Sequence, residues 1–242
     1  HIDLSRARPD VWGFLSPLVS GYDAAVFSHV SFVPPLDLPA YLVPPSIDPL
    51  ADKNRELTSA EQETLLAPLG LPVRMPWVTQ ISRFDRIKDP LGVLEAFILA
   101  RKREDAHLIL AGGSADDDPE GAEVLEEVRE RAGKRTDVSL LLLPPDAHLT
   151  INALQRRSHV VVQKSLREGF ALTVSEALWK RRAVVASAVG GIPLQILHER
   201  TGLLVGSVQG CAYQITRLLR SPDLRKRLGA EGREHVRHNF LH

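Results

Sequence analysis

The chain has 242 residues, 44% of them apolar and 25% charged, which excludes a disordered or fibrous protein and supplies enough apolar side chains for a sizeable core. Thirty basic and thirty acidic side chains cancel, so no overall positive field draws the chain to nucleic acid or to an anionic membrane, and any anion site has to be local. A single cysteine, Cys211, excludes an intramolecular disulfide framework and a cysteine-rich zinc cluster and fits a reducing compartment.

No apolar run nears the ~18–20 residues of a membrane span, and the opening HIDLSRARPD lacks the apolar stretch of a signal peptide; the chain reads as cytosolic. His1 stands where an initiator methionine is usual, so the sequence reads as a piece of a longer one.

A short helix is expected over 9–19, followed by the apolar run Ala24 to Ser28. Pro34, Pro35, Pro39, Pro44, Pro45 and Pro49 then crowd a stretch that reads as a linker, because prolines at that density break helices and central strands alike. Thr58 with Glu61, and Ser59 with Gln62, both match a helix-opening capping box, and Gly70 with Pro72 supplies the stop of a helix near 60–69.

From Pro76 onward, short runs of valine, isoleucine and leucine alternate with amphipathic patterns. Strands are expected at 77–82, 107–111, 138–143, 159–163, 183–187 and 203–205. Helices are expected near 90–102, 119–133, 148–156, 172–181, 193–198 and 209–238, the last broken at Ser221-Pro222. Asp89-Pro90 and Asp118-Pro119 each pair a capping acid with proline at the first helical position. Strands this continuously apolar are buried on both faces, so the class is α/β with a doubly wound parallel sheet. Ligands then bind beyond the carboxyl ends of the strands, and the chemistry is to be sought in the loops there.

The first such loop, Ser82 to Pro90, carries Arg83 at a strand end and Lys88 before a helix, where two cations and free backbone N–H groups can converge on a phosphate; the plain alternative is a solvated turn. Gly112 and Gly113 end the second strand, and Gly190 and Gly191 follow the fifth, positions at which the backbone can approach a ligand closely. The dinucleotide fingerprint glycine-x-glycine-x-x-glycine is absent, which counts against a nicotinamide cofactor. Asp116, Asp117 and Asp118 are read as a helix cap with solvated neighbours, and His235 and His238 as surface residues, so no metal site is assigned.

The most informative stretch is Gln163 to Ala177. Glu168 lies in a loop, Gly169 permits a tight turn, and a helix opens near Leu172 with its N–H groups facing the crevice. The dipole is worth only about 0.3–1 kcal/mol at an exposed site, so cations such as Lys88 and Arg83 are needed to hold a diphosphate. Glu176, about one turn into the helix, can turn back to accept hydrogen bonds from sugar hydroxyls; both glutamates could equally be favourable charge in a first helical turn. Together the features favour a diphosphate-linked sugar.

Glu168 and Glu176, with seven residues between them, reproduce the E-x7-E pattern of the retaining GT-B glycosyltransferases of family 4. The strings SRFDRIKDPLGVLEAF, LAGGSADDDPEG, INALQRRSHVVVQKSLREGFALTVSEALWK and AVGGIPLQI, with HIDLS and IDPLADKN nearer the start, resemble its subgroup of trehalose synthases and retaining trehalose phosphorylases. The resemblance implies a GT-B enzyme of two Rossmann-like domains. Residues 1–46 would be the tail of the N-terminal acceptor domain with its linker, and 47–242 the domain that binds a nucleoside-diphosphate glucose, lacking the terminal crossover helix.

It also implies that Lys88 and Arg83 neutralise the leaving diphosphate, that Glu168 contacts the donor sugar and that Glu176 binds the ribose. Gly169, Phe170, Ala171, Leu172 and Thr173 would cradle sugar and phosphate with their backbone. The resemblance further implies that glucose would be passed to glucose by front-face displacement, giving trehalose. No cofactor is obligatory, magnesium is compatible with the motif without being required, and a homodimer is compatible with it too. Ala171 departs from a frequent glycine, and Ile87 from a glutamate or tryptophan. Three rival readings stand beside this one: a non-catalytic nucleotide-sugar-binding module of a truncated enzyme, a trehalose phosphorylase, and a glycoside hydrolase with Glu168 and Glu176 as its carboxylate pair, which has no need of the Arg83 and Lys88 clamp.

Overall fold

The computed structural model describes residues 8–113 and 119–242. Helix α1 (Pro9–Val19) starts with proline in its first turn, where a missing N–H breaks no bond, and it buries none of its residues. The run Ala24 to Ser28 contains a short strand, β1 (Ala25–Phe27). The expected linker contains another, β2 (Ala40–Leu42), paired parallel to β1 with Ala25 opposite Ala40. The proline-rich stretch admits this strand for a simple reason. A two-stranded sheet has only edges, and Pro39 precedes the strand, offering its carbonyl to the Ala25 N–H at 2.9 Å without having to donate.

Helix α2 (Ser59–Leu66) is opened by Thr58 and Glu61 as a reciprocal capping box, while Gln62 donates to the Leu57 carbonyl at 3.0 Å. A 3-10 turn over Ala67–Leu69 and left-handed Gly70 (φ 62°) end it.

Six parallel strands follow: β3 (Trp77–Ile81), β4 (His107–Gly112), β5 (Val138–Leu142), β6 (Val160–Gln163), β7 (Ala183–Ser187) and β8 (Leu203–Val205). They lie in the order β5-β4-β3-β6-β7-β8. The chain winds outward from β3 and then returns to its other side, so the winding reverses between β3 and β6 and a crevice opens at their carboxyl ends. The connecting helices are α3 (Pro90–Arg101), α4 (Pro119–Ala132), α5 (His148–Arg157), α6 (Leu172–Trp179), α7 (Ile192–Gln195), α8 (Val208–Arg220) and α9 (Pro222–Asn239). Helix α7 stops short of the expected 198. The break between α8 and α9 falls at Ser221, whose hydroxyl accepts the Leu224 N–H at 3.3 Å.

The strands read as continuous apolar runs because alternate residues enter different layers. Val78, Leu108, Leu110, Val160, Val162 and Val185 pack with Leu94 and Phe97 of α3 and Ile215 of α8. Their neighbours Val161 and Val184 pack with Leu178 of α6 and Ile192 of α7, and Trp77 and Ile109 with Leu154 of α5. Each such side chain contributes about 1.5–3 kcal/mol of burial, so both faces are strongly specified. The α/β doubly wound class expected from the sequence is the architecture observed, with the small β1–β2 sheet ahead of it.

After α9 the backbone returns to Ile47, whose N–H donates to the Phe240 carbonyl at 2.8 Å while its carbonyl accepts from His242. No helix among the described residues is long and apolar enough to cross a membrane.

Candidate functional site

The loops after β3 and β6 meet where the winding reverses. Buried Asp85 shapes the first of them: its Oδ1 accepts the Lys88 N–H at 2.8 Å and its Oδ2 lies 3.0 Å from the Arg83 guanidinium. The Gln80 side chain donates to the Lys88 carbonyl at 2.8 Å, and Leu166 of the second loop donates its N–H to the Ile87 carbonyl at 2.8 Å.

Two crossed ion pairs then tie the loops together. Lys88 Nζ donates to Glu168 Oε2 at 2.6 Å, and Lys164 pairs with Asp89. Each loop thus supplies one lysine and one carboxylate. Asp89 holds its pair while capping α3 from a left-handed backbone (φ 51°), its Oδ1 accepting the Gly92 N–H at 3.0 Å. The sequence marks Asp89 only as a cap and gives Lys164 no role; no local pattern says which acid a lysine 75 residues away will meet.

Glu168 Oε2 also accepts from the Ser165 hydroxyl at 3.2 Å, with Gln163 Nε2 at 3.5 Å. Arg83 is mostly exposed, and among the described residues its ion pair is with Asp85. An ammonium has three donors and a guanidinium five, so Lys88 and Arg83 retain N–H groups for an incoming anion.

The glycines of the strand ends make room for protein backbone. A Cβ on Gly112 would lie 1.8 Å from the Ser82 carbonyl oxygen. One on Gly190, which is left-handed at φ 54°, would lie 1.7 Å from that of Glu168. The Gly191 N–H donates to the Gly169 carbonyl at 2.9 Å, so this pair seats the loop that carries Glu168. A Cβ on Gly113 would lie 3.6 Å from the Leu143 carbonyl oxygen, an ordinary contact.

Helix α6 opens from Ala171, which is left-handed (φ 68°, ψ 73°) and provides no side-chain cap. Leu172 and Thr173 form its first turn at the crevice, and buried Gln195 braces the approach, donating to the Phe170 carbonyl while accepting from Ser175 Oγ at 2.6 Å. Nothing in the sequence marks Gln195 either, since a buried glutamine carries no motif.

Glu176 is buried, and its Oε1 lies 4.0 Å from Lys53 Nζ, at the segment before α2. The backbone carbonyl of Glu176 accepts from Lys180, whose ammonium also donates to Asn54 Oδ1 at 3.0 Å. Burial pulls the Lys180 ammonium down to about 7, with nearby Glu176 opposing. The structure therefore brings Lys88 and Glu168 into contact, sets Arg83 on the same loop as Lys88, and turns Glu176 toward Lys53.

His235 and His238 engage separate backbone carbonyls, those of Leu194 and Glu234. Asp116, Asp117 and Asp118 lie outside the described residues.

Residues 61–235 match the family described as glycosyl transferases group 1. The chain is 40% identical over 245 residues to a trehalose synthase of Rubrobacter xylanophilus, covering 100% of this chain and 59% of that protein. It is 33% identical over 183 residues to a trehalose phosphorylase of Grifola frondosa, covering 69% of this chain and 25% of the relative. Among solved structures, Anabaena HepE in complex with UDP-glucose superposes with a TM-score of 0.82 at 18% identity, covering 100% of this chain and 67% of that one. The fold is thus of GT-B type, and the chain spans about three fifths of the curated trehalose synthase. With a switch-point crevice built on the E-x7-E segment and a family match across residues 61–235, the chain belongs to the group 1 glycosyltransferases.

Proposed function

We propose that this chain is the donor-binding part of a retaining, family 4 hexosyltransferase that moves glucose from a nucleoside-diphosphate glucose to glucose, forming trehalose. The observation that carries the reading is the Lys88–Glu168 contact across the switch point; the 40% identity to a trehalose synthase directs it to that product. Lys88 and Arg83 meet the diphosphate, Glu168 the donor sugar, Glu176 the ribose, and the backbone of Gly169 to Thr173 the phosphate at the start of α6. Gly112, Gly113, Gly190 and Gly191 line the approach, three of them by letting loops close on one another. Residues 1–46 belong to the acceptor domain and 47–242 to the donor domain, and the enzyme works in the cytoplasm, in keeping with its lone, buried Cys211.

The chemistry follows from charge. As the glycosidic bond to phosphate breaks, negative charge gathers on the leaving diphosphate and positive charge on the anomeric carbon. Fixed cations at the former lower the barrier because they are already oriented. Lys88 can serve without deserting Glu168, since two of its N–H bonds remain. Magnesium is compatible with such a site and is not demanded by it.

Titration calorimetry of the chain with UDP, ADP and GDP tests the proposal. Saturable binding of at least one, competed by the matching nucleotide glucose, is the expected result and names the base. A folded sample that binds none of the three overturns it.

A further inference from the structure

At the opposite edge of the sheet, beneath the amino ends of β6 and β7, lies a cavity of about 370 Å³ with six cations among its ten lining residues. Arg156 and Arg157 reach it from the end of α5, Arg181 and Arg182 from the turn before β7, and Arg225 and Lys226 from the first turns of α9. Among the described residues no carboxylate lines it. Only Arg156 is neutralised, by Glu56 at 2.7 Å; the other five make no ion pair among the described residues.

Their backbone contacts hold them in place without cancelling their charge. Arg182 donates to the carbonyls of Lys180 and Ser158, Arg225 to those of Leu218 and Leu219, and Arg157 to that of Val73 while stacking 4.9 Å from the Trp77 ring centre. The carboxyl ends of α5 and α6 present about half a negative charge each, and the amino end of α9 returns a positive one, so the helix dipoles leave the excess standing. The strain registers on the groups themselves. Burial, then Arg157, Arg225 and Arg182, hold the His159 imidazole down to about 4, and burial with Arg156, Arg157 and Arg225 lowers Arg182.

In a chain whose net charge is zero, such a concentration of fixed, mutually repelling cations around a ligand-sized hollow needs a counter-charge. We propose that this cavity is a second anion site, distinct from the switch-point crevice, that takes a small phosphate-bearing anion of at least two negative charges. Both carbonyl contacts of Arg225 run through Nη1, so its Nε–Nη2 edge can meet phosphate oxygens bidentately.

The test is titration calorimetry of the chain with pyrophosphate and, separately, glucose 6-phosphate in about 0.15 M salt, where weak surface pairing is screened. Saturable binding of either is expected. The tighter of the two shows whether an inorganic or a sugar phosphate is preferred. With UDP present in excess to fill the switch-point crevice, Arg225→Gln with Lys226→Gln should weaken the remaining binding at least tenfold, and Lys88→Ala should leave it unchanged. Because Arg225 also holds carbonyls at the end of α8, the exposed Lys226→Glu is measured beside it and should weaken binding without altering the melt. A local readout is the His159 imidazole, whose titration by nuclear magnetic resonance should move upward when the ligand is bound. Failure of a folded sample to bind either probe, or binding lost in Lys88→Ala and kept in the cavity variants, overturns the proposal.

Discussion

Lys88 and Glu168 are 80 residues apart and 2.6 Å from one another, which makes their coupling a direct measure of the switch-point site. Opposite unit charges about 4 Å apart attract by about 4 kcal/mol at an effective dielectric near 20. Desolvation offsets much of that here, since the two side chains are only 18% and 10% exposed. A coupling of about 1–3 kcal/mol remains. Lys88→Met should therefore destabilise the chain by about 2 kcal/mol, a fall of roughly 4–8 °C in Tm at this size, because the Glu168 carboxylate keeps only Ser165 and the distant Gln163. Adding Glu168→Gln should recover most of the loss. Urea denaturation of the four proteins gives the cycle, and UDP calorimetry on the same samples gives the functional arm. Losing one charge-assisted hydrogen bond costs about 1.5–3 kcal/mol, so UDP should bind about 10- to 150-fold more weakly to Lys88→Met. Single substitutions that add within about 0.5 kcal/mol, together with unchanged UDP affinity, would refute the reasoning.

The remaining expectations are narrower. Ala171→Gly relieves a left-handed alanine (φ 68°) and, after the added freedom of the unfolded glycine, should raise stability by up to about 1 kcal/mol; a lower Tm would show that the strain is not there. Gly190→Ala drives a Cβ to 1.7 Å from the Glu168 carbonyl and should cost more than about 2 kcal/mol, whereas Gly113→Ala should fall within about 1 kcal/mol; equal melting points for the two would contradict the packing described. Lys180 titrates near 7 in the folded chain and near 10.4 when unfolded, so between those values the unfolded chain binds more protons and stability rises with pH. The urea stability of the native protein relative to Lys180→Met should accordingly increase from pH 7 to pH 10, and a difference that stays flat would count against the burial of that ammonium.

The six-stranded sheet was legible because burial on two faces writes itself as unbroken runs of valine, isoleucine and leucine, and helix ends were legible where a side chain caps its own backbone, as Thr58 and Ser221 do. β2 was hidden among prolines whose usual exclusion applies to central strands and not to an edge. Arg83, Lys88 and Glu168 could be assigned to loops after strands. Their meeting depends on β3 lying beside β6, a pairing decided by the sheet as a whole.

Local chemistry in the sequence by itself therefore determined the doubly wound class, the loops that carry charge and the E-x7-E resemblance, since each depends on residues within a few turns of one another. Only the tertiary structure decided that Lys164 pairs with Asp89, that Glu176 faces Lys53, that Gly190 yields to the Glu168 backbone, and that cations from three separate segments close around one cavity. Those contacts join residues from about 20 to more than 100 positions apart, and through-space electrostatics and packing, unlike capping and periodicity, leave no trace in the order of the chain.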